Sequence, residues 1–248
     1  MFNNLFVQPL YNLLVFILNN VPFADLGVAV VILTVIVRSV LYPISKSAIR
    51  SQIKMKKIQG QMKEIQAKYK DDKSKQAQVL MELYRENNIK PFSGFLLILI
   101  QLPIMIGLYF VFSNEGLPEI KADMLYSFIQ TPEAISSKMF GFIDIFSKSI
   151  LLACTAAFAQ FMQFRIMFSK NEQLKTEEER NKKIDPNNMM DSMAKNMQTQ
   201  MKYFLPVMIF FASYSLGAVI GLYFTVSNVF SIFQEIRIKN KLIKENNA

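Results

Sequence analysis

The stretch LGVAVVILTVIVRSVLYPI, residues 26–44, is apolar apart from one charged residue, Arg38. Its 19 residues would extend about 28 Å as a helix at 1.5 Å per residue, close to the roughly 30 Å hydrocarbon core of a bilayer. An arginine cannot lose its proton to suit an apolar environment, and insertion scales assign it about 2.5–3.5 kcal/mol at the centre of a spanning helix. The stretch therefore predicts a transmembrane helix whose arginine needs water, a partner or a substrate beside it.

A simpler explanation of Arg38 is that its long side chain snorkels to the cytoplasmic surface. The residue lies about 9 Å from the end of the apolar stretch at 1.5 Å per residue. A snorkelling side chain would therefore bring the guanidinium to the cytoplasmic surface only with difficulty. No Asp or Glu is found in any other predicted span, and a salt bridge inside the membrane is therefore not expected. We expect Arg38 to meet water inside the bilayer.

Three further apolar blocks of membrane length follow along the chain. The last, residues 203–233, would extend about 46 Å as one helix, so we interpret it as two short spans that turn near Gly217. Spans this short imply a locally thin bilayer or a partly wet neighbourhood. The predicted fold class is an all-α integral membrane protein with five spans, at residues 24–46, 92–113, 148–168, 203–217 and 218–235.

Polar residues recur within these spans. Each one alone is typical of ordinary helix packing, because hydroxyl and amide side chains often join spans. If they face one another, they would line a cavity that keeps Arg38 hydrated. The candidate groove residues are Thr34, Arg38, Gln101, Gln160, Gln163, Tyr223, Ser227 and Asn228.

The distribution of charge predicts the topology independently. The chain has 248 residues, with 28 Lys and Arg against 19 Asp and Glu, and a net charge of +9. Of the basic residues, 24 lie in residues 46–90, 165–202 and 237–244, and such blocks flank spans on the cytoplasmic side rather than indicating a nucleic-acid reader. Residues 1–22 and 114–147 are then extracytoplasmic, which puts the amino terminus outside and the carboxyl terminus in the cytoplasm.

The composition excludes most catalytic and metal chemistry. The chain has no His and one Cys, Cys154, which rules out His-based triads, HExxH zinc sites and thiolate zinc clusters. No GxxxxGK[ST] motif for ATP is present. The sequence thus predicts neither an enzyme nor a bound cofactor or metal.

The first 22 residues are apolar but carry several Asn, and two interpretations stay open. One is an amphipathic helix on the outer surface of the membrane, with Asn12 and Asn19 away from its apolar face, and the other is a sixth span. We prefer the interfacial helix. Its apolar face would consist of Leu10, Leu14, Ile17 and Leu18.

Residues 47–90 are predicted to form a cytoplasmic helical hairpin. Apolar residues recur at a 4-3-4 spacing from Ile58 to Tyr69, and a second stripe around Leu83 follows an acidic turn at residues 71–72. The alternative is a solvated charged linker, but a linker does not keep a helical apolar stripe. The residues singled out on the hairpin are Lys54, Lys57, Met62, Tyr69 and Tyr84.

Two further cytoplasmic segments are predicted, a loop at residues 169–202 and a basic tail at residues 236–248. The loop ends in a methionine stripe with a 3-4-4 spacing, on one face of a helix that leads into the fourth span. Such a stripe is more typical of packing than of a partner site. It consists of Met190, Met193, Met197 and Met201.

Six stretches carry a recognisable pattern: QPLYNLL at residues 8–14, TVIVRSVLYPISK at 34–46, KMKKIQGQMKEIQAKYKDDK at 54–73, LYRENNIKPFSG at 83–94, LILIQLPIMIGLY at 97–109 and GLYFTVSNVFSIFQE at 221–235. In this order and spacing they resemble the YidC family of membrane-protein insertases, with its Oxa and Alb relatives. The chain looks like the short bacterial form, which lacks the large extracytoplasmic domain of the long members. One departure is that Leu216-Gly217-Ala218 stands where the family's Pro-Ser-Gly pattern is expected.

The resemblance implies five spans around a hydrophilic groove that is open to the cytoplasm and to lipid and closed toward the outside. Arg38 would attract the polar or acidic tail of a substrate, Thr34 and Tyr223 match groove positions, and Phe224 stands where many members carry a second Tyr. The substrate's transmembrane segment would leave sideways into lipid along the third and fifth spans. The implied partners are nascent membrane proteins, membrane lipids, the ribosome and signal-recognition-particle machinery, and the Sec translocon.

Two other functions compete with insertion. A small anion transporter would bind its solute at Arg38, but transporters commonly carry inverted repeats and broken helices, and the sequence shows neither. An assembly scaffold without insertion activity would keep the hairpin and would not need Arg38 in a wet groove.

Overall fold

A computed structural model describes residues 1–22, 25–90, 92–113, 117, 120–132, 135–139, 141–168 and 189–247. The helices are α1 (Gln8–Asn20), α2 (Leu26–Val40), α3 (Tyr42–Lys57), α4 (Gln59–Lys68), α5 (Lys73–Glu86), α6 (Ser93–Ser113), α7 (Ile150–Phe168), α8 (Met189–Leu216) and α9 (Ala218–Asn247). A π-helical segment, Asn3–Val7, precedes α1, and a 3₁₀ turn, Ala122–Met124, follows α6. Strands β1 (Lys138–Met139) and β2 (Ile143–Asp144) form a short antiparallel pair.

The apolar lengths of the helices identify the class of protein. In the described part of the chain, Ile150–Met167 and Ala218–Leu242 are each long and apolar enough to cross a membrane, and the bent pair α2 and α3 gives a third candidate if it counts as one span. Two shorter apolar helices, Leu99–Ser113 and Lys202–Leu216, lie within α6 and α8. The predicted all-α membrane class is confirmed.

The helix that carries Arg38 is shorter than predicted. Its amino terminus is capped by Asp25, whose carboxylate accepts a hydrogen bond of 2.8 Å from the backbone N–H of Val28. It ends at Val40, and α3 leaves at an angle of 60° with a proline in its first turn, Pro43. Residues 24–46 are therefore not one straight span, and Arg38 lies in the last turn of α2, about 3 Å from its end rather than the 9 Å expected.

The long carboxyl-terminal apolar block is interrupted at Gly217. The residue has φ of +107°, in the left-handed region that suits glycine, and it separates α8 from α9. Both flanking helices exceed their predicted spans, since α8 begins at Met189 and α9 continues to Asn247 through the basic tail. Residues 169–188 of the predicted cytoplasmic loop, and the side chains of its methionine stripe, lie outside the described residues.

The α1 helix packs into the protein core. Tyr11, Leu14 and Val15 are fully buried, in a cluster with apolar side chains of α2 and α6. Asn12, expected away from the apolar face, is also buried, because its amide donates to the Met124 carbonyl at 2.8 Å and accepts from the Tyr126 N–H at 2.7 Å. The helix is thus fixed to the segment that follows α6.

Backbone hydrogen bonds tie the ends of α2 and α9 to the segment before α7. The Leu26 N–H donates to the Ser136 carbonyl at 3.3 Å, and the Ala218 N–H donates to the Ser147 carbonyl at 2.8 Å. Gly27 lies so close to Met139 of β1 that a Cβ would collide with that side chain. We call these contacts the loop closure.

The α4 and α5 helices pair within residues 47–90, the segment expected to be a cytoplasmic hairpin, whose first residues, 47–57, continue α3 instead. Asp72 caps α5 by accepting from the Lys75 N–H at 2.9 Å, and Gln76 donates across the pair to the Gln66 carbonyl at 2.9 Å. At the base, Lys54 of α3 donates to the Asn87 carbonyl at 3.1 Å. These contacts describe two paired helices rather than a solvated linker.

Candidate functional site

Arg38 is held where α2 meets α9. Its Nε donates to the Ser227 hydroxyl at 2.6 Å, and its Nη2 donates to the same oxygen. Ser227 is fully buried, whereas Arg38 is partly buried. Among the described carboxylates none pairs with Arg38, so its hydroxyl partner leaves the positive charge uncompensated.

A second polar contact joins α6 to the same face of α9. The Gln101 amide donates to the hydroxyl of Tyr223, which is buried and lies one helical turn from Ser227. Thr34, one turn before Arg38 on α2, is also buried and donates to the Val30 carbonyl at 2.6 Å. Three helices therefore bring together Thr34, Arg38, Gln101, Tyr223 and Ser227, which we call the polar cluster.

The other three predicted groove residues make no hydrogen bond to the polar cluster within the described part of the chain. Gln160 and Gln163 bond each other along α7 at 3.3 Å. Asn228 follows Ser227 directly, and since successive helical residues are rotated by about 100°, its side chain faces another way. It is buried, and its Nδ2 has no hydrogen-bond partner among the described residues.

A charged cluster that is not among the predicted sites lies at the carboxyl-terminal end of α7. Lys239 Nζ lies 2.7 Å from Glu235 and donates to the Ile166 carbonyl at 2.5 Å, while Lys56 Nζ of α3 donates to the Met167 carbonyl at 2.7 Å. The last carbonyls of a helix lack internal partners and favour cations, so the two lysines cap α7. We call Lys56, Glu235 and Lys239 the lysine cap.

The lysine cap contains an acidic residue of a predicted span, Glu235, and a lysine with a lowered pKa, Lys56. Glu235 is the last residue of the predicted fifth span, so the statement that no acidic residue lies in another span is wrong at this position. Burial and then the nearby positive charge of Lys239 lower the pKa of Lys56, while Glu235 opposes the shift. The Glu-Lys spacing of four residues is the sequence signal that could have identified the pair.

Among the described side chains, more exposed apolar residues lie on the second and fourth predicted spans than on the third and fifth. The α7 and α9 helices make the most extensive pairing in the described chain, because small residues such as Ala153 and Gly221 let them approach closely. By contrast, the described parts of α6 and α8 make no extensive contact with each other. Their exposed residues are Phe92, Leu96, Leu99, Leu102 and Ile106 on α6, and Tyr203, Phe204, Val207, Met208, Phe211 and Tyr214 on α8.

The residues singled out on the hairpin divide into packing and surface positions. The Tyr84 hydroxyl contacts the Met62 sulfur at 3.9 Å, and burial raises the pKa of Tyr84. Tyr69 lies between two lysine ammonium groups, each within 6 Å of its ring centroid. Lys54 anchors the base of the hairpin, and Lys57 is exposed at the end of α3.

Nothing in the described segments resembles a metal centre. Within them, no three His, Cys, Asp or Glu side chains come together in a group that could hold a metal ion. The single cysteine, Cys154, is exposed on α7. The chemistry available at the polar cluster is therefore hydrogen bonding and electrostatic attraction.

Comparison with known proteins covers nearly the whole chain. A family described as 60Kd inner membrane protein matches residues 17–245, which include the polar cluster and the lysine cap. A Clostridium tetani protein named membrane protein insertase YidC is 31% identical over 228 residues, 92% of this chain and 87% of that protein. A protein of the same name from Oceanobacillus iheyensis is 29% identical over 88% of this chain and 75% of its own length. Another, from Actinobacillus pleuropneumoniae, is 28% identical over 96% of this chain but only 37% of its own length.

Proposed function

Because the chain belongs to the 60Kd inner membrane protein family, that of the YidC insertases and their Oxa and Alb relatives, and is therefore a bacterial inner-membrane protein, we propose that it inserts newly made membrane proteins and helps them fold. The observation that carries the proposal is the uncompensated guanidinium of Arg38 on a neutral hydroxyl. A protein that only packs helices would gain nothing from a charge without a carboxylate partner between apolar helices.

The proposed topology has five spans, formed by α2, α6, α7, the end of α8 and the apolar part of α9. The hairpin, the loop of residues 169–202 and the tail lie in the cytoplasm, and the amino terminus lies outside. Contacts of α1 support its interfacial position: Asn12 bonds residue Met124, and Asn19 donates to the Gln130 carbonyl at 2.5 Å. Under this topology the segment after α6 is extracytoplasmic, so contacts along both the middle and the end of α1 favour a helix that lies at the outer surface.

In the proposed mechanism, an acidic or polar tail of the substrate takes the place of the Ser227 hydroxyl at Arg38. Hydrogen bonds between two charged groups are roughly twice as strong as neutral ones, so a substrate carboxylate competes well for the guanidinium. The exchange draws the tail into the membrane plane. The membrane potential adds about 2.3 kcal/mol per elementary charge at 100 mV, in the direction that exports acidic segments.

The substrate's transmembrane segment would then leave sideways along the exposed apolar rows of α6 and α8. The apolar part of α8, Lys202–Leu216, is about 22 Å long at 1.5 Å per residue, shorter than a bilayer core of roughly 30 Å. A thin bilayer at this position shortens the dry path of the polar tail. Burial of the substrate's own apolar residues in lipid supplies the driving force.

The cytoplasmic hairpin and tail are the proposed contacts for the delivery of substrates. Residues 46–90 carry a net charge of +7, which suits acidic surfaces such as ribosomal RNA or a targeting factor. Nascent membrane proteins are the substrates in this proposal, and the ribosome, the signal-recognition-particle machinery and the Sec translocon are the partners that deliver or share them.

Reconstitution into protein-free liposomes tests the proposal. A single-span substrate with an acidic amino-terminal tail should become protected from protease in the presence of the protein. Arg38→Ala should reduce protection at least tenfold, the effect of losing one charge-assisted hydrogen bond. Arg165→Ala, which removes an exposed basic residue from α7, is the matched control and should keep wild-type activity. Protection no greater than in empty liposomes would indicate an assembly scaffold instead.

A further inference from the structure

A cleft of about 710 Å³ lies between the carboxyl-terminal end of α2 and the cytoplasmic half of α9. Its lining includes Ser39, Tyr42, Phe230, Phe233, Arg237 and Asn240. None of them belongs to the polar cluster. Gln234 forms the wall between the two sites, because it lines the cleft and its amide contacts the Arg38 carbonyl at 3.5 Å.

The cleft is divided into an apolar end and a polar end along α9. Phe230 and Phe233 precede Arg237 and Asn240 on one helical face, so the aromatic rings lie toward the membrane and the guanidinium toward the cytoplasm. Phe233 is 67% exposed, which opens the apolar end sideways. The rise from Phe230 to Asn240 is about 15 Å, long enough for a phosphate group and the first part of an acyl chain.

The polar end suits an anion. The Arg237 guanidinium can donate two parallel hydrogen bonds to a phosphate, and Asn240 and Tyr42 carry further donors. The Ser39 hydroxyl is not one of them, since it donates to the Val35 carbonyl at 2.7 Å. Glu235, the nearest carboxylate in sequence, is paired with Lys239 in the lysine cap.

We propose that this cleft binds one anionic phospholipid of the cytoplasmic leaflet, with the phosphate at Arg237 and Asn240 and an acyl chain along Phe230 and Phe233. The proposal rests on the proposed topology, in which α9 crosses the membrane and ends in the cytoplasm. Basic clefts between helices on the cytoplasmic side are the setting in which anionic head groups bind. A bound lipid would contact Gln234 and thereby support the backbone that carries Arg38.

Tryptophan fluorescence tests the proposal directly, because the chain contains no Trp. Phe233→Trp places a single reporter at the mouth of the cleft, and lipids with brominated acyl chains quench it on contact. In vesicles that mix phosphatidylglycerol with phosphatidylcholine, brominated phosphatidylglycerol should be preferred about fivefold, the contribution of one basic residue at the surface. A second reporter, Phe158→Trp, on the 64% exposed Phe158 of α7, should show no preference.

Arg237→Ala, combined with the Phe233→Trp reporter, should reduce the preference to nearly one, while Arg165→Ala combined with the same reporter should leave it unchanged. An unchanged far-ultraviolet circular dichroism spectrum shows that each variant is folded. Equal quenching by the two lipids, or a preference that survives Arg237→Ala, would overturn the lipid site. No quenching by either lipid would overturn the placement of α9 as well. Because no substrate is present, these outcomes are separate from a failure of insertion.

Discussion

Replacing Ser227 with Asp should block the groove with an internal carboxylate. The Arg38 Nε lies 2.6 Å from the Ser227 hydroxyl oxygen, so the introduced carboxylate would meet the guanidinium directly, and the adjacent positive charge would keep it ionised. A substrate carboxylate would then approach a neutral pair. It would lose one charge-assisted hydrogen bond, worth about 1.5–3 kcal/mol, which corresponds to a loss of insertion of about 10- to 150-fold.

The assay compares two substrates that differ only in the tail, one with acidic residues and one with Asn and Gln in their place. Protease protection in liposomes should fall for the acidic tail in Ser227→Asp and stay within about twofold for the neutral tail. Ser227→Asn, which has nearly the same shape without the charge, is the control. If the Asp and Asn variants insert the acidic substrate equally well, or if Asp impairs both substrates equally, electrostatic capture by Arg38 is refuted.

Three further predictions concern stability. Lys239→Met removes the partner of the buried Glu235 and should lower the free energy of unfolding by about 3–5 kcal/mol, which corresponds to a Tm lower by roughly 10 °C in detergent. Lys244→Met, at the exposed end of α9, should not change the Tm. Equal Tm values for the two variants would show that the lysine cap does not stabilise the fold. Gly221→Ala places a Cβ about 3.0 Å from the Leu152 backbone and should cost about 1–3 kcal/mol in thermal unfolding. Gly107→Ala should cost less, because its tightest new contact is the movable end of Leu10 and its contacts with Phe6 are of ordinary van der Waals length. Asn12→Leu breaks two hydrogen bonds to the segment after α6, so limited proteolysis should cut residues 120–130 faster than in the wild type. Asn20→Leu, which loses only a hydrogen bond within its own helix, should not change the rate of cleavage. An unchanged rate in Asn12→Leu would show that α1 does not hold that segment in place.

Local patterns in the sequence predict the features that depend on neighbouring residues. The apolar blocks, the turn at Gly217 and the paired helices of the hairpin each follow from residues within one or two helical turns. The convergence of Arg38 and Ser227 is different, since 189 positions separate them. It was predictable only because polar residues in apolar spans tend to face one another.

The features that sequence does not predict depend on geometry between distant elements. The depth of Arg38 follows from a bend after Val40 that composition alone does not reveal. The close approach of α7 to α9 at Gly221 buries apolar surface on both helices. The sequence does not show which apolar faces are buried in this way, because all the spans are similarly apolar. The burial of Asn12 depends on partners 112 and 114 positions away.

The loop closure has an electrical consequence. A membrane that stores energy as an ion gradient tolerates no continuous wet path, and a hydrated arginine is the kind of group around which such a path forms. Under the proposed topology, the backbone bonds from Leu26 and Ala218 to the segment before α7, and Met139 against Gly27, lie between the polar cluster and the outside. The groove is then open to water on the cytoplasmic side only. A polar tail can enter from the cytoplasm, and the ion gradient that helps to pull it across does not leak through the protein.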